Sequence, residues 1–318
     1  MGGGCVKSVA SIDQPLLATP DSALVLAVAG NRLGAYLSLT KPRLVLLVLV
    51  TVAVGFLLGA RARGAHAALL PLAATLAGTA LVAGGAGALN QWIERDRDSR
   101  MRRTANRALP GGRLSAAEAA AFGTVLVLAG TIILLVGANL LATFFALLTF
   151  FLYLCVYTPS KRWTTLNTVI GAIPGALPPL IGWGAATGRL GVEGWTLFLI
   201  VFLWQFPHFL AIAWIYRDDY RRAGFRMLTV DDPRGRKTGR QAVSYALALL
   251  PVGLLPATVG LAGPVYFAGA LLLGLWYLSE AVRFCQDAGD RRARSLLRAS
   301  FVYLPSILIL LLLNPVPY

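Results

Sequence analysis

Residues 70–89 read LPLAATLAGTALVAGGAGAL, twenty residues without a charge. As an α-helix rising ~1.5 Å per residue, this run is ~30 Å long and matches the hydrocarbon core of a bilayer. Directly after it, residues 90–110 read NQWIERDRDSRMRRTANRALP. Nine charged side chains fall between Glu94 and Arg107, three carboxylates and six arginines. A helix that crosses the membrane and emerges into a dense charged loop is the simplest reading. Whether those charges merely anchor the loop or build a site is the question the rest of the chain must answer.

The whole sequence repeats this alternation. Of 318 residues, 57% are hydrophobic and 14% charged, where a soluble domain carries roughly 25% charged residues. Uncharged runs recur at about 40–60, 67–92, 116–137, 139–157, 165–187, 194–216, 241–262, 264–283 and 297–315. They do not alternate like barrel strands, and a lipid-exposed backbone must satisfy its own hydrogen bonds. The expected fold class is therefore an all-α polytopic membrane protein with nine transmembrane helices. Residues 1–38 are expected to be a flexible tail and 39–316 a single membrane domain. The start MGGGCV lacks the Ser or Thr of a myristoylation signal at position 6, and no signal peptide is apparent.

All but three of the 29 lysines and arginines fall in the tail or in the loops after spans 2, 4, 6 and 8; the exceptions are Arg61, Arg63 and Arg189. The positive-inside rule places the N-terminus and the basic loops in the cytoplasm. The net charge of +15 follows from this topology, and short basic loops between spans argue against nucleic-acid binding. The three cysteines have neither metal-ligand nor disulfide spacing.

Two of the basic loops, about 93–115 and 217–240, hold seven of the 14 acidic residues. They follow spans 2 and 6, which suggests a doubled four-span unit with both loops at one cavity mouth. Asn90, Glu94 and Asp98 are spaced i, i+4, i+8 and share ~80° of one helix face. One amide oxygen and two carboxylates form a hard donor set suited to Mg²⁺ with phosphate oxygens and water. The neighbouring arginines suit the phosphate itself. The plain alternative is a topogenic loop whose acids are solvated. Polar groups at membrane depth are costly and usually functional, which favours the site. Asp218 and Asp219 repeat the theme after span 6. Asp231 and Asp232 read as a turn before Pro233. His208, in WQFPHFLAIAW (204–214), is the histidine inside a span. It suits a core hydrogen bond, an iron ligand, a proton acceptor or a porphyrin contact. The glycines and prolines of span 5 suit either close packing or a bend around a cavity.

The stretch Asn90–Pro110 resembles the first signature of the UbiA-type intramembrane prenyltransferases. LTKPR (39–43), YTPSKRWTTLNTVIGAIPGALPPLIGW (157–183), WQFPHFLAIAW (204–214) and RDDYRRAGFRML (217–228) extend the resemblance over roughly 35–315. Within the superfamily they are most similar to the heme-farnesylating branch. The resemblance implies nine helices around a central cavity. It implies transfer of a farnesyl group from farnesyl diphosphate to a vinyl group of heme B, with water added, giving heme O and diphosphate. It implies Mg²⁺ held by Asn90, Glu94 and Asp98, with Asp218 and Asp219 as the second acidic motif. Aligned on Gly224, the usual second motif would place its acids at Tyr216 and Tyr220, so this chain carries a modified form. Arg103, Arg107, Lys161 and Arg162 match basic family positions and become the expected diphosphate clamps, with Lys41 and Arg43 as helpers. His208 matches a branch block and is expected to act in catalysis. Trp183, Trp204, Phe206 and Trp214 are the expected cavity lining. Implied partners are the lipid bilayer and a heme A synthase or terminal oxidase assembly. The alternatives are prenylation of an aromatic or quinone-precursor acceptor, and transport of an anionic amphiphile.

Overall fold

The structure, a computed structural model, describes residues 32–64, 66–314 and 316. Among these it is helical without strands, and nine helical segments are long and apolar enough to cross a membrane. A short helix over 32–39 precedes them. It lies inside the expected tail, but Ala35 and Leu39 are fully buried against Ala88, Ala108 and Ala119. Packed structure thus begins several residues before position 39. The remaining part of the expected tail lies outside the described residues.

The elements are α1 (Pro42–Ala62), α2 (Leu69–Asp98), α3 (Ala116–Gly137), α4 (Leu140–Phe151), α5 (Asn167–Ala176), α6 (Pro178–Thr187), α7 (Val192–Ile215), α8 (Arg217–Arg222), α9 (Arg236–Thr258), α10 (Pro264–Gln286) and α11 (Asp290–Leu313). The fourth span continues from α4 through a π-helical stretch, Leu152–Tyr157, to Ser160. Proline cannot donate to the preceding turn, and Pro159 follows this widened stretch. The Thr158 hydroxyl donates to the Tyr153 carbonyl at 2.9 Å there. The fifth span is two pieces, α5 and α6, joined at Leu177 in front of Pro178 and Pro179. The proline-rich span is thus broken as well as closely packed.

Small residues set how near the helices come. A Cβ on Gly85 would lie 2.6 Å from the Gly123 carbonyl oxygen, and one on Gly130 would lie 2.6 Å from that of Gly78. These pairs, seven residues apart on each helix, draw α2 against α3. Gly182 does the same where α6 crosses α1, its missing Cβ being 1.9 Å from the Val52 carbonyl. α3 opens with a capping box: Ser115 Oγ accepts from the Glu118 N–H and the Glu118 carboxylate accepts from the Ser115 N–H.

The two larger apolar cores lie among these helices. One gathers α7, α9, α10 and α11 around Trp204, Tyr277 and Tyr303. The other gathers α1, α2, α4 and α6 around Val52, Phe145 and Ile181. Val125, Leu128, Ile132, Leu135 and Val136 are exposed along one side of α3. An apolar belt of this kind belongs against acyl chains, where it incurs no hydration cost.

Candidate active site

Asn90, Glu94 and Asp98 occupy the last turns of α2, and all three are buried, at 2%, 5% and 1% exposure. Burying two carboxylates is costly unless each finds a cation or strong donor. Lys161 Nζ lies 2.9 and 3.1 Å from the two Glu94 oxygens. Arg107 Nη1 donates to Asp98 Oδ2 at 2.7 Å. Lys41 Nζ donates to Asn90 Oδ1 at 2.8 Å. The Asn90 amide nitrogen donates to Glu94 Oε2 at 3.0 Å and to Thr158 Oγ1 at 3.1 Å. Asp98 Oδ1 alone is sealed from solvent without a partner.

Four separate elements supply this cluster. Lys41 caps α1 with φ 52°, the one left-handed non-glycine backbone among the described residues. Such a conformation costs about 1–3 kcal/mol and persists only where the surroundings enforce it. Here Pro42 disfavours the ordinary helical alternative for the residue before it, and the ammonium is tied to Asn90. Burial, then repulsion from Arg107 and Lys161, lowers Lys41 to about 7. Burial also acts to lower Lys161, but Tyr157, Glu94 and Tyr153 beside it more than offset this, and it stays above the usual lysine value.

The second basic loop closes on the first. The Arg103 guanidinium lies over the rings of Tyr216 (4.8 Å) and Tyr220 (5.8 Å). Arg97 lies over Phe225 (5.3 Å) and donates to the Gly224 carbonyl at 3.4 Å. The Arg226 N–H donates to the Lys161 carbonyl at 2.9 Å. The two basic loops thus meet, as expected.

Several expected site residues stand elsewhere. Asp218 is exposed and paired with Arg221 at 2.9 Å, and Asp219 is buried and paired with Arg222. Among the described residues no three His, Cys, Asp or Glu side chains converge as metal ligands. The five-residue donor set is thus not assembled; its acids from α8 are turned to their own arginines at i+3. Arg43 and Arg162 are exposed and make no ion pair among the described residues. The aromatic lining also changes. Trp183, Trp204, Phe206 and Trp214 are all below 5% exposed and serve as helix packing. Phe206 stacks on Tyr245 at 3.7 Å, and Trp204 Nε1 donates to the Ser300 carbonyl at 2.9 Å. Their bulk suits the core between α7 and its neighbours better than an open wall. Asp232 is not a solvated turn: it is buried, and Oδ2 accepts from the N–H and hydroxyl of Thr238 at 2.8 and 2.9 Å. His208 is buried, with Nδ1 2.7 Å from Ser300 Oγ.

Three participants escaped the sequence reading. Thr158 orients the Asn90 amide, the Tyr153 hydroxyl lies 3.4 Å from Lys41 Nζ, and the Tyr157 ring lies 4.6 Å under Lys161 Nζ. The i, i+4, i+8 spacing of Tyr153, Tyr157 and Lys161 could have shown that they share a face.

Buried oxygen donors ringed by cations, at the end of a helix long and apolar enough to cross a membrane, are chemically suited to a hard cation and an anionic group together. The chain belongs to the UbiA prenyltransferase family, which it matches over residues 21–304. More narrowly, it is 49% identical over 285 residues to the protoheme IX farnesyltransferase of Solibacter usitatus, covering 88% of this chain and 98% of that one. It is 44% identical to the enzyme of the same name from Opitutus terrae, covering 86% and 92%. The fold is similar to that of a UbiA homolog from Archaeoglobus fulgidus bound to GPP and Mg²⁺, with TM-score 0.63 and 15% identity over 88% of this chain and 100% of that one. It is similar also to an apo UbiA homolog from Aeropyrum pernix, with TM-score 0.64 and 20% identity, covering 83% and 97%.

Proposed function

We propose that this protein transfers a farnesyl group from farnesyl diphosphate to a vinyl group of heme B, with addition of water, giving heme O and diphosphate. The observation that carries the transfer chemistry is the convergence of Lys41, Lys161 and Arg107 on the buried oxygens of Asn90, Glu94 and Asp98. The acceptor follows from the near-full-length similarity to protoheme IX farnesyltransferases.

The donor set fits Mg²⁺. Its atoms are hard oxygens, and Asp98 Oδ1 is buried with no hydrogen-bond partner, which a cation would satisfy. Asn90, Glu94 and Asp98 would hold the metal. When bound, Mg²⁺ supplies positive charge against that gathering on the departing diphosphate oxygens.

The chain's own residues do the remainder. Lys161 and Arg107 are held beside the donor set by Glu94 and Asp98, so their positive charge is in place before a diphosphate arrives. Arg103, set on the Tyr216 and Tyr220 rings, extends the basic surface over the mouth. The carbon–oxygen bond of the donor breaks with its electron pair leaving on the diphosphate. The allylic cation is attacked by the vinyl π-electrons, and water adds to the resulting carbon centre and releases a proton. Tyr153 and Tyr157, half-buried with ring centroids 5.8 Å apart, present π-faces beside this site, where a cation gains from the ring quadrupole. Both substrates are largely apolar, which accounts for a reaction at the membrane. We also place the basic loops and the N-terminus in the cytoplasm of a bacterial-type inner membrane, from the charge asymmetry. Hand-over of product to a heme A synthase or terminal oxidase assembly belongs to the same proposal.

The test uses protein in lipid nanodiscs with heme B, farnesyl diphosphate and Mg²⁺, read by mass spectrometry. A pigment heavier by one farnesyl group and one water is expected, lost with EDTA and regained with Mg²⁺. Diphosphate release with phenolic or naphthoic acceptors but not with heme would overturn the acceptor.

A further inference from the structure

His208 stands on α7 two turns into the membrane from the charged mouth, and its imidazole is oriented on every side but one. Nδ1 lies 2.7 Å from Ser300 Oγ on α11. The Ser300 hydroxyl donates its single hydrogen to the Leu297 carbonyl at 2.6 Å. With that hydrogen on the Leu297 carbonyl, the serine oxygen is left to accept, and the matching His208 tautomer carries its proton on Nδ1. The lone pair is left on Nε2. Trp204 stacks on the ring at 5.0 Å and Phe301 meets it edge-on at 5.2 Å. Trp204 is itself fixed, through Nε1 to the Ser300 carbonyl (2.9 Å) and through its own carbonyl to the Tyr277 hydroxyl (3.2 Å).

Nε2 has no hydrogen-bond partner among the described residues, yet it is not among the sealed, unpartnered polar atoms, which are Thr79 Oγ1, Asp98 Oδ1, Trp183 Nε1, Trp214 Nε1 and Tyr303 OH. It therefore keeps a little accessible surface, although the residue as a whole is 7% exposed. On one face of α7, Phe198, Phe202, Phe209 and Ile212, followed by Tyr216 at its C-terminal cap, are half-buried, with buried Gln205 between Phe202 and Phe209. Eight residues separate His208 from Tyr216, about 12 Å along the axis and about 80° around it. The half-buried face leads from beside His208 to the ring beneath Arg103. A packing histidine would bury or pair both nitrogens. This one spends Nδ1 on a second residue that is itself fixed and keeps Nε2 free, the arrangement by which outer partners orient metal-ligating imidazoles.

We propose that His208 Nε2 is the axial ligand to the iron of the porphyrin acceptor, and that Ser300 is the positioning residue that sets its tautomer. This rests on the heme reading above. Iron held there would bring the porphyrin beside the half-buried face that leads to Tyr216 and would limit how its vinyl groups can approach the donor.

The experiment titrates ferric heme B into the full chain in nanodiscs, without farnesyl diphosphate, and follows absorption and electron paramagnetic resonance. The wild type is expected to give an imidazole-ligated spectrum. The sequence has two histidines, His66 and His208, so the ligand is assigned by one substitution. His208→Gln and His208→Gly should lose the signature, and added imidazole should restore it in His208→Gly. Ser300→Ala should weaken heme binding about 10- to 100-fold, with Ser300→Thr restoring it. Mn²⁺-dependent binding of farnesyl thiodiphosphate checks folding in every variant. An unchanged imidazole spectrum in the His208 variants overturns the proposal, as does wild-type heme binding without an imidazole signature. Should those variants fail to fold, unchanged heme affinity and spectrum in Ser300→Ala overturns it instead. No heme binding by a wild type that still releases diphosphate with other acceptors overturns the reading beneath it.

Discussion

Asp98 and Glu94 are both buried carboxylates on one helix face, yet they are held differently. Glu94 has both oxygens on Lys161, whereas Asp98 gives one oxygen to Arg107 and keeps the other free. Asp98→Asn preserves shape and removes the charge. It should lower turnover at least about 10²-fold, as loss of one preorganised charge-stabilising group does, while thermal unfolding stays near the wild type. Turnover within a few-fold of wild type would remove Asp98 from the metal set. Thr158→Val tests the outer support. It removes the hydroxyl that accepts from the Asn90 amide and should weaken Mn²⁺ binding about 10- to 100-fold, seen by paramagnetic resonance of the bound ion. Unchanged affinity would mean that Lys41 and Glu94 suffice to orient Asn90.

The elements are positioned by what their sequences omit. α6 approaches α1 so closely that Gly182 faces the Val52 carbonyl and Gly55 faces the Pro179 carbonyl at 2.2 Å from a would-be Cβ. Gly182→Ala forces backbone apart and should destabilise the bundle by about 1–3 kcal/mol, read as a lower unfolding temperature in nanodiscs. An unchanged temperature would show that α1 and α6 can slide without loss. The π-helical stretch of the fourth span is the converse case, an element distorted beside the site. Such turns are common at functional positions, and here the stretch carries Tyr153 and Tyr157 to Lys41 and Lys161.

For the whole molecule, the charge asymmetry carries the proposed orientation of all nine spans. Reporter fusions after Arg222 should read as cytoplasmic and fusions at Gly188 as external. The opposite result at both positions would invert the assigned orientation and move the site across the membrane. The membrane class, the number of spans, the pairing of basic loops and the Asn90–Glu94–Asp98 face were all legible in the sequence. Each depends on local composition or on helical periodicity, which the chain carries in itself. Helix ends were less legible: α11 begins at Asp290 rather than near 297, because charged residues that bar a segment from hydrocarbon do not bar it from a helix.

What the sequence determined is therefore a nine-span helical protein with a hard-oxygen, arginine-rich mouth, since apolar length and i, i+4 spacing are properties of single segments. Tertiary structure alone decided which cation meets which carboxylate and that Asp218 serves Arg221. It also decided that the tryptophans pack in the core and that Ser300 reaches His208 across 92 positions of chain. Those outcomes depend on crossing angles and close approaches between helices remote in sequence. No segment encodes them by itself, because they exist only once glycine faces and prolines have fixed how the helices meet.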